Sequence, residues 1–397
     1  MNKGPSVRRV LQVHTRYRQP GGEDQVVEAE RQLLEDAGLE VRQVIFDNAD
    51  LRESESIAGD LRLAASAIWS RAAERRVRTA IKAMRPQVMH VHNTFSAASP
   101  SIYSAAAANG VPVVQTLHNY RLVCPAAVAF RDGRACTDCV GLPIALPAVV
   151  HACVRGSRTQ SAVAGATIAV HRALGTFRHK IGLYLALTSF QRQLLVRGGV
   201  PADRIRVVPN FLEPDPGEGT GQRSGVLYIG RLSVEKGIAT LLAAAAEVPG
   251  QLRVAGDGPL APSVRDAEPG SIVYLGRLER ATVQAELRRA VAVVLPSIWF
   301  EGFPLVVVEA YAAGTPIIAS RIGSLAEIVE DRITGMLARP GDASDLAASM
   351  RWAVDHPDEM AQMGVNARRR YEARYRGSMH LTALLETYVA AGAAGST

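Results

Sequence analysis

Residues 291–309 read VAVVLPSIWFEGFPLVVVE, and this stretch decides the fold of the second half of the chain. Its first five residues are all apolar, which predicts a strand buried inside a parallel sheet. Gly302 allows close backbone approach in the loop that follows, and Pro304 suits the first turn of a helix. We therefore predict a strand, a loop and a helix that begins near Leu305, as in a doubly wound α/β domain.

Two glutamates bracket this loop and the start of the helix. Glu301 and Glu309 would both lie near the helix N-terminus, at the sheet edge where doubly wound folds bind ligands. A carboxylate there can accept hydrogen bonds from two sugar hydroxyls, and free backbone N–H groups can hold an anion. For this segment alone a simpler interpretation stays open, in which Glu309 only favours the helix dipole and Glu301 caps the loop.

Three further strand ends in the same half run into glycines, and two of them also carry cations. Residues 226–237, VLYIGRLSVEKG, predict a strand that ends in glycine and is followed by Arg231 and Lys236. A planar guanidinium and an ammonium at this place could together neutralise one diphosphate. The segments VAGDGP at 254–259 and VYLGRL at 273–278 predict two more strands that run into glycine turns.

Taken in order, these segments resemble the donor half of the retaining glycosyltransferases of family 4, which have the two-domain GT-B fold. The resemblance is carried by GRLSVEKG, AGDGPL, LGRL, PSIWFEGFPLVVVEAYAAGTPIIAS and GSLAEIVEDRITG, and in the amino half by PGGED at 20–24, TLHN at 116–119 and VPN at 208–210. It implies an α/β chain with two doubly wound, Rossmann-like parallel-sheet domains that face a central cleft. It also implies transfer of a sugar from a nucleoside-diphosphate sugar to an acceptor hydroxyl, with retention of the anomeric configuration, in cell-surface polysaccharide or glycoconjugate biosynthesis.

The resemblance implies a role for each matching residue. Arg231 and Lys236 would stabilise the departing diphosphate in place of a divalent metal, so no catalytic cofactor is predicted. Glu301 would bind sugar hydroxyls, and Glu309 would bind the ribose. His118 would contact the transferred sugar or the attacking hydroxyl; the alternative is a capped loop histidine. The remaining donor-binding positions are predicted to be Gly21, Gly22, Gly230, Gly276, Leu278, Gly302, Phe303, Pro304 and Leu305.

Other functions match parts of the pattern. A nucleotide-sugar epimerase on the same two-domain frame would bind the sugar without transferring it, and it remains the alternative. A nucleotide-binding oxidoreductase is disfavoured because the loop after the first strand, RYRQPGGED at 16–24, lacks G-x-G-x-x-G. A non-catalytic, lectin-like module is disfavoured by the presence of both cations and both glutamates.

Strands and helices alternate along the chain, which predicts parallel sheets with right-handed crossovers. The predicted first domain spans 1–210, is assigned to the acceptor side, and contains a cysteine-bearing insertion at about 120–156. Residues 211–224, FLEPDPGEGTGQRS, are rich in Gly, Pro and charge and predict an interdomain linker. The nucleotide-sugar donor domain then spans 225–397, and the resemblance implies that its last helix can cross back onto the first domain.

The four cysteines fall close together in the sequence, as C-x11-C-x2-C-x13-C. The central pair has the spacing of a metal knuckle, and four thiolates suit tetrahedral zinc or, less often, an iron–sulfur cluster. Disulfides are a poor alternative in the cytosol. We predict a structural zinc that shapes the acceptor side, with a loop closed by packing alone as the open alternative; its ligands would be Cys124, Cys136, Cys139 and Cys153.

Positive charge is concentrated in the first half of the chain. Residues 1–210 hold 27 Lys and Arg against 16 Asp and Glu, whereas the rest hold 18 against 22. At 61–85 seven cations accompany an apolar stripe, which indicates either a helix that lies on anionic lipid or an ordinary surface helix packed on the sheet. Nucleic-acid binding is disfavoured, because no aromatic stacking platform or reading module accompanies the charge.

The sequence contains no long uncharged apolar run, and its amino terminus lacks the apolar region of a signal peptide. We therefore expect a cytoplasmic protein, peripheral on the inner face of the membrane if the basic helix docks there. The expected partners are a nucleoside-diphosphate sugar and a saccharide or lipid-linked acceptor.

Overall fold

The structure is a computed structural model that describes residues 7–17, 21–50, 57–219, 221–248, 250–267, 270 and 272–392. Pro20, which opens the predicted glycine loop, lies outside these residues. The chain divides into two compact units. The first comprises Met1–Val128, Thr137–Pro209 and His380–Thr397, and the second comprises Ala129–Cys136 and Asn210–Met379.

The described strands and helices alternate for most of the chain. In chain order the strands are β1 Arg9–Arg16, β2 Glu40–Asp47, β3 Val88–Val91, β4 Val113–Leu117, β5 Phe130–Arg131, β6 Arg134–Ala135, β7 Leu183–Ala186, β8 Ile205–Val207, β9 Val226–Ile229, β10 Leu252–Ala255, β11 Ile272–Gly276, β12 Ala292–Leu295, β13 Ile317–Ser320 and β14 Gly335–Ala338. The helices are α1 Gly22–Asp36, α2 Ile57–Ile68, α3 Arg71–Met84, α4 Ile102–Ala107, α5 Leu146–Val150, α6 Arg158–Ala173, α7 Thr176–His179, α8 Ser189–Arg197, α9 Ile238–Glu247, α10 Ala261–Arg265, α11 Arg280–Arg289, α12 Leu305–Ala312, α13 Gly323–Ile328, α14 Ala343–Asp355, α15 Pro357–Arg374 and α16 Gly377–Ala390.

Each unit is built on a six-stranded parallel sheet, with orders β2-β1-β3-β4-β7-β8 and β11-β10-β9-β12-β13-β14. In the second sheet the chain runs outward from β9 to β11 and then returns to add β12 on the other side of β9. The order therefore reverses between β9 and β12, and in the first sheet it reverses between β1 and β3. These are the switch points at which open α/β sheets bind ligands, outside the carboxyl ends of the strands. The two doubly wound domains predicted from the sequence are confirmed.

The strands next to the switch points are buried on both faces, as the apolar runs predict. All four residues of β12 are buried, and so are all four of β3. Helix α16 adds to the core of the first unit through Leu384 and Tyr388, which have no exposed surface. The residues that follow His380 therefore belong with the amino-terminal sheet, although they lie at the end of the sequence.

The segment predicted as a linker, 211–224, is fixed to the second unit. Asp215 accepts two hydrogen bonds from the Arg368 guanidinium, at 2.8 and 2.7 Å. Arg223 donates to the carbonyls of Ala290 and Ala313. The segment that follows Pro209, where the first unit breaks off, is thus a loop packed on the second unit. Its assignment as the interdomain linker stays a prediction.

The basic segment 61–85 forms two helices instead of one. Helix α2 ends at Ile68, and Ser70 caps α3 by accepting a hydrogen bond from the Ala73 N–H at 3.1 Å. The apolar side of α3 is buried against α4 and strands β1 and β2, with Val77 completely covered. Of the two interpretations of this segment, the ordinary surface helix describes the structure. Within the described residues, no helix combines the length and apolar character needed to cross a bilayer.

Candidate functional site

A lysine and a glutamate meet at the switch point of the second sheet. Lys236 ends a short 3-10 turn after β9, and Glu301 lies in the loop after β12. The Lys236 ammonium donates to both carboxylate oxygens of Glu301, at 2.8 and 3.0 Å, and the Ser297 hydroxyl donates to one of them at 2.6 Å. Glu301 is buried, whereas Lys236 is half-buried and lies 5.3 Å from the centre of the Trp299 ring. The structure therefore joins two of the predicted catalytic residues in one ion pair.

Close backbone packing of the loops holds this pair in place. Gly237 follows Lys236 at φ +73, and a Cβ atom there would lie 1.9 Å from the Pro296 carbonyl oxygen. Gly256 packs equally closely on Gly230, since a Cβ atom added to Gly256 would lie 1.9 Å from the Gly230 carbonyl oxygen. The loops after β9, β10 and β12 can therefore pack together only because these positions have no side chain.

Helix α12 begins next to the pair and carries Glu309. Pro304 is the N-cap residue, so the first N–H groups of α12 have no partner inside the helix and face the same sheet edge. Burial raises the pKa of Glu309, and the charge of Arg280 opposes the shift. The Phe303 ring is buried against Tyr375, and its carbonyl accepts a hydrogen bond from Asn210 at 2.9 Å. The loop is thus rigidly supported up to the helix start.

The other predicted donor residues occupy strand ends of the same sheet. Arg231 is exposed just beyond β9, and its carbonyl accepts a hydrogen bond from Tyr228 at 2.8 Å. Gly276 ends β11, with Leu278 half-buried two residues further on, and Gly302 is half-buried in the loop after β12. Gly21 and Gly22, by contrast, start α1 in the first unit, where the Gly21 N–H donates to Asp24 at 2.8 Å. Their assignment to the donor stays a prediction.

In the first unit, His118 follows β4 and lies against a second histidine. Its Nε2 is 3.1 Å from Nδ1 of His92, and the two rings stack with centroids 5.4 Å apart. Burial, together with the neighbouring imidazoles His92 and His14, lowers the pKa of His118 well below its ordinary value. The imidazole is therefore neutral at physiological pH and can exchange hydrogen bonds with a hydroxyl without carrying a proton charge.

A cavity of about 40 Å³ opens beside His118 and His92. Its wall includes Asn119 and Arg121, whose guanidinium stacks on Phe95 at 3.7 Å from the ring centroid. Sequence reasoning did not select Asn119, Arg121 or Phe95. The TLHN motif at 116–119 includes Asn119 but indicates no role for it. The stack of Arg121 on Phe95 joins two separate loops, so the sequence does not predict it.

Glu23 is another residue of this region that the sequence did not single out. Its Oε1 is buried and lacks a hydrogen-bond partner, and it lies 3.8 Å from Nδ1 of His14. Burial and the neighbouring Asp24 raise the pKa of Glu23 to about 8. Glu23 is thus mostly protonated at neutral pH and can donate a hydrogen bond. Its position after the glycine loop, at the switch point of the first sheet, is the signal that could have found it.

Behind these residues a buried polar network is centred on Glu30. This carboxylate lies 2.9 Å from Nδ1 of His90 and 3.3 Å from Nε2 of His92, and His380 reaches its other oxygen at 3.2 Å. Gln12 donates to it at 2.9 Å. Burial alone would raise the pKa of Glu30, but the histidines lower it well below its ordinary value. The network ties α1, β1, β3 and α16 together beneath His118.

We expect the first unit to lose stability as the pH falls from about 7 to about 4. Burial and the charge of His90 lower the pKa of His92 from 6.5 to about 4. The unfolded chain therefore binds this proton at a higher pH than the folded chain, so stability is complete above pH 6.5 and declines towards pH 4. The shift corresponds to about 3 kcal/mol.

Urea unfolding measured at a series of pH values checks this prediction. His92→Gln should flatten the acid slope, whereas His151→Gln, at an exposed histidine, should leave it unchanged. Equal slopes in all three proteins would contradict the assignment to His92.

The four cysteines all have intermediate exposure. Cys136 belongs with the second unit, whereas Cys124, Cys139 and Cys153 belong with the first. Among the described residues, the group found with three metal-binding side chains within 4.8 Å is Glu30, His90 and His92, and it contains no cysteine. The structure therefore does not gather Cys124, Cys139 and Cys153 around one point, and structural zinc stays a prediction.

Elemental analysis tests the zinc prediction. If the four thiolates bind zinc, protein purified without an affinity metal should contain about one zinc per chain, and prolonged chelation should lower its melting temperature. Metal-free protein with four titratable thiols and unchanged melting would leave the loop closed by packing.

Two family models match the chain and together span most of it. The model described as "Glycosyl transferase 4-like domain" matches residues 21–210, and the one described as "Glycosyl transferases group 1" matches residues 218–370. The first match contains Glu23, Glu30 and His118, and the second contains Lys236 and Glu301. The chain belongs to the family-4-like glycosyltransferases of GT-B fold.

Curated relatives match over part of their length. Glycogen synthase of Mycobacterium tuberculosis is 34% identical over 207 residues, which cover 50% of this chain and 48% of that protein. D-inositol 3-phosphate glycosyltransferase of Nocardia farcinica is 31% identical over 231 residues, which cover 50% of each. The alignments thus span about half the length of these relatives.

Solved structures match over nearly the whole chain. Sucrose-phosphate synthase from Thermosynechococcus elongatus matches with a TM-score of 0.72 at 19% identity. The match covers 98% of this chain and 100% of the synthase chain. Anabaena HepE in complex with UDP has a TM-score of 0.66 at 18% identity and covers 96% and 99%. At these identities the likeness shows the fold.

Proposed function

We propose that this chain transfers a glycosyl group from a nucleoside-diphosphate sugar to an acceptor hydroxyl with retention of the anomeric configuration. The observation that carries the proposal is the Lys236–Glu301 ion pair at the switch point of the second sheet, next to the start of α12. It places a cation, a carboxylate and free backbone N–H groups where open α/β sheets bind ligands. The cation and the backbone N–H groups suit the diphosphate of such a donor, and carboxylates suit the hydroxyls of its sugar and ribose.

The donor side supplies electrostatic stabilisation of the leaving group. Lys236 and Arg231 neutralise the negative charge that grows on the diphosphate as the glycosidic bond breaks, so their effect is largest in the transition state. Glu301 is held by Lys236 and Ser297 and accepts hydrogen bonds from sugar hydroxyls. Glu309 is half-buried, and desolvation raises its pKa, so its charged form is stabilised when it accepts hydrogen bonds from the ribose hydroxyls. The leaving phosphate receives the proton of the acceptor hydroxyl on the same face of the sugar.

The acceptor side is assigned to the first unit. The neutral His118 hydrogen-bonds a hydroxyl of the transferred sugar or of the acceptor, and the cavity beside it accommodates part of the acceptor. Glu23 is protonated at neutral pH and therefore approaches an oxygen atom without repelling it. We assign the acceptor to saccharides or lipid-linked saccharides, and the pathway to cell-surface polysaccharide or glycoconjugate biosynthesis at the inner face of the membrane. The HepE structures in complex with UDP and with UDP-glucose support a nucleoside-diphosphate sugar as the donor class.

Thermal-shift measurements against a panel of nucleoside diphosphates and their sugars test the proposal without a known acceptor. At least one should raise the melting temperature of the chain, because a ligand that binds only the folded state stabilises it. Glu309→Ala should weaken the binding of that ligand by about tenfold or more, as expected when hydrogen bonds to a charged group are lost. Glu359→Ala, at an exposed glutamate of α15, should bind normally. A panel without any stabilising nucleotide would contradict the proposal.

A further inference from the structure

An apolar surface projects from the first unit at residues 142–150. Leu142, Ile144, Leu146 and Val150 are 38%, 66%, 60% and 55% exposed, respectively. Four large apolar side chains exposed within nine residues form a patch, whereas single exposed apolar residues are normal on a soluble protein. We name these four side chains the apolar tip.

The backbone holds the apolar tip outward. Ala145 and Ala148 point inward and are buried, and α5 packs against α6. Arg172, near the end of α6, donates to the Leu142 carbonyl at 2.8 Å and also binds the carbonyls of Leu122 and Gly198. The exposed side chains therefore belong to a fixed surface.

The chain around the apolar tip contains no acidic residue. Between Asp138 and Asp203 there are seven Lys and Arg and no Asp or Glu. Arg155 and Arg158, which follow α5 directly, are both exposed. Arg197 is exposed as well. Its backbone lies close to Gly141 at the edge of the tip, since a Cβ atom added to Gly141 would be 3.1 Å from the Arg197 carbonyl oxygen. Exposed cations thus lie close to the tip along the chain, and the backbone of one of them, Arg197, lies against its edge.

We propose that the apolar tip and its cations dock the first unit on an anionic lipid bilayer. Apolar side chains that enter the headgroup region and cations that meet anionic headgroups are the two contributions that hold a protein at such a surface. A second copy of the chain matches the patch less well, because a two-fold contact would bring together two copies of a basic segment that contains no acidic residue. The inference rests on the proposed function in one respect, namely that a lipid-linked acceptor is reached at a membrane.

The position of the tip differs from the basic helix that the sequence indicated. Helix α3 offers exposed Arg71 and Arg75, but its apolar side is already buried. The apolar tip offers both contributions at once. The two surfaces can therefore be separated by substitution.

Sedimentation of the full chain with vesicles tests the inference. Vesicles of phosphatidylcholine with 30% phosphatidylglycerol should bind the protein, vesicles of phosphatidylcholine alone should bind it at least tenfold more weakly, and salt should weaken the binding. The triple variant Ile144→Gln, Leu146→Gln, Val150→Gln should bind at least tenfold more weakly than wild type. Arg155→Gln with Arg158→Gln should also reduce binding and its salt dependence, and it supplies a second test if the triple variant does not fold.

Matched controls locate the effect. Val273→Gln with Ile333→Gln removes two side chains of the second unit that are 51% and 50% exposed, and Arg71→Gln with Arg75→Gln removes two cations of α3. Both should bind vesicles within twofold of wild type. Wild-type binding by the triple variant, binding that depends on Arg71 and Arg75 instead, or a solution dimer that the triple variant abolishes would overturn the inference. The nucleotide-induced melting shift should be unchanged in the triple variant; its absence in wild type would count against the proposed function instead.

Discussion

Replacing Lys236 with alanine is expected to lower kcat/KM by at least about a hundredfold. The ammonium stabilises charge that develops on the departing diphosphate, and removal of one such group costs roughly 3 kcal/mol of transition-state stabilisation. Glu301→Gln should have an effect of similar size, because the amide can no longer accept from Lys236 and from sugar hydroxyls with both oxygens. Release of nucleoside diphosphate, measured with the donor that binds, gives the rates.

Two controls separate chemistry from folding. Lys236→Ala leaves the buried Glu301 carboxylate with the Ser297 hydroxyl at 2.6 Å, so some loss of stability accompanies the loss of activity. Arg351→Ala and Glu359→Gln, at exposed positions of α14 and α15, should retain wild-type rates. Wild-type turnover by a folded Lys236 or Glu301 variant would remove the donor-site assignment.

Replacing Glu30 with alanine is expected to destabilise the first unit by about 3–5 kcal/mol, the cost of removing one partner from a buried charged network. Gln12 and His380 would lose the carboxylate to which they bond, and His90 and His92 would lose the charge that lies 2.9 and 3.3 Å from their rings. Glu28→Ala changes an exposed glutamate of the same helix, and it should alter stability by about 0.5 kcal/mol or less. Urea unfolding gives both values. A Glu30→Ala protein as stable as the Glu28→Ala protein would show that the network contributes little.

The sequence predicted those parts of the fold that depend on local pattern. The stretch 291–309 became β12, a loop and α12, because a buried strand, a glycine loop and a helix-starting proline are each encoded by nearby residues. The break between α2 and α3 was missed, although Ser70 is a local helix cap. The contact of the Ile68 carbonyl with His171, about a hundred residues further along the chain, could not be read from the sequence. The packing of 211–224 on the second unit was also hidden in the sequence, because the partner of Asp215 is Arg368, 153 residues away.

The candidate site divides in the same way. Lys236, Glu301 and Glu309 lie in segments whose strand ends could be recognised one by one, and a parallel sheet brings such ends to one edge. Glu23 could not be recognised as a protonated carboxyl, because its pKa depends on burial that only the folded unit creates. The role of Glu30 was equally hidden, since His380 lies 350 residues away in sequence.

Proton NMR of the wild-type chain with its donor, in the absence of an acceptor, tests retaining transfer at the Lys236–Glu301 pair. We expect slow release of nucleoside diphosphate, with the free sugar appearing first in the same anomeric configuration as in the donor, before mutarotation. Lys236→Ala should release neither product above background. Release of the opposite anomer, appearance of an epimeric nucleotide sugar without free diphosphate, or equal release by Lys236→Ala would contradict retaining transfer at this site.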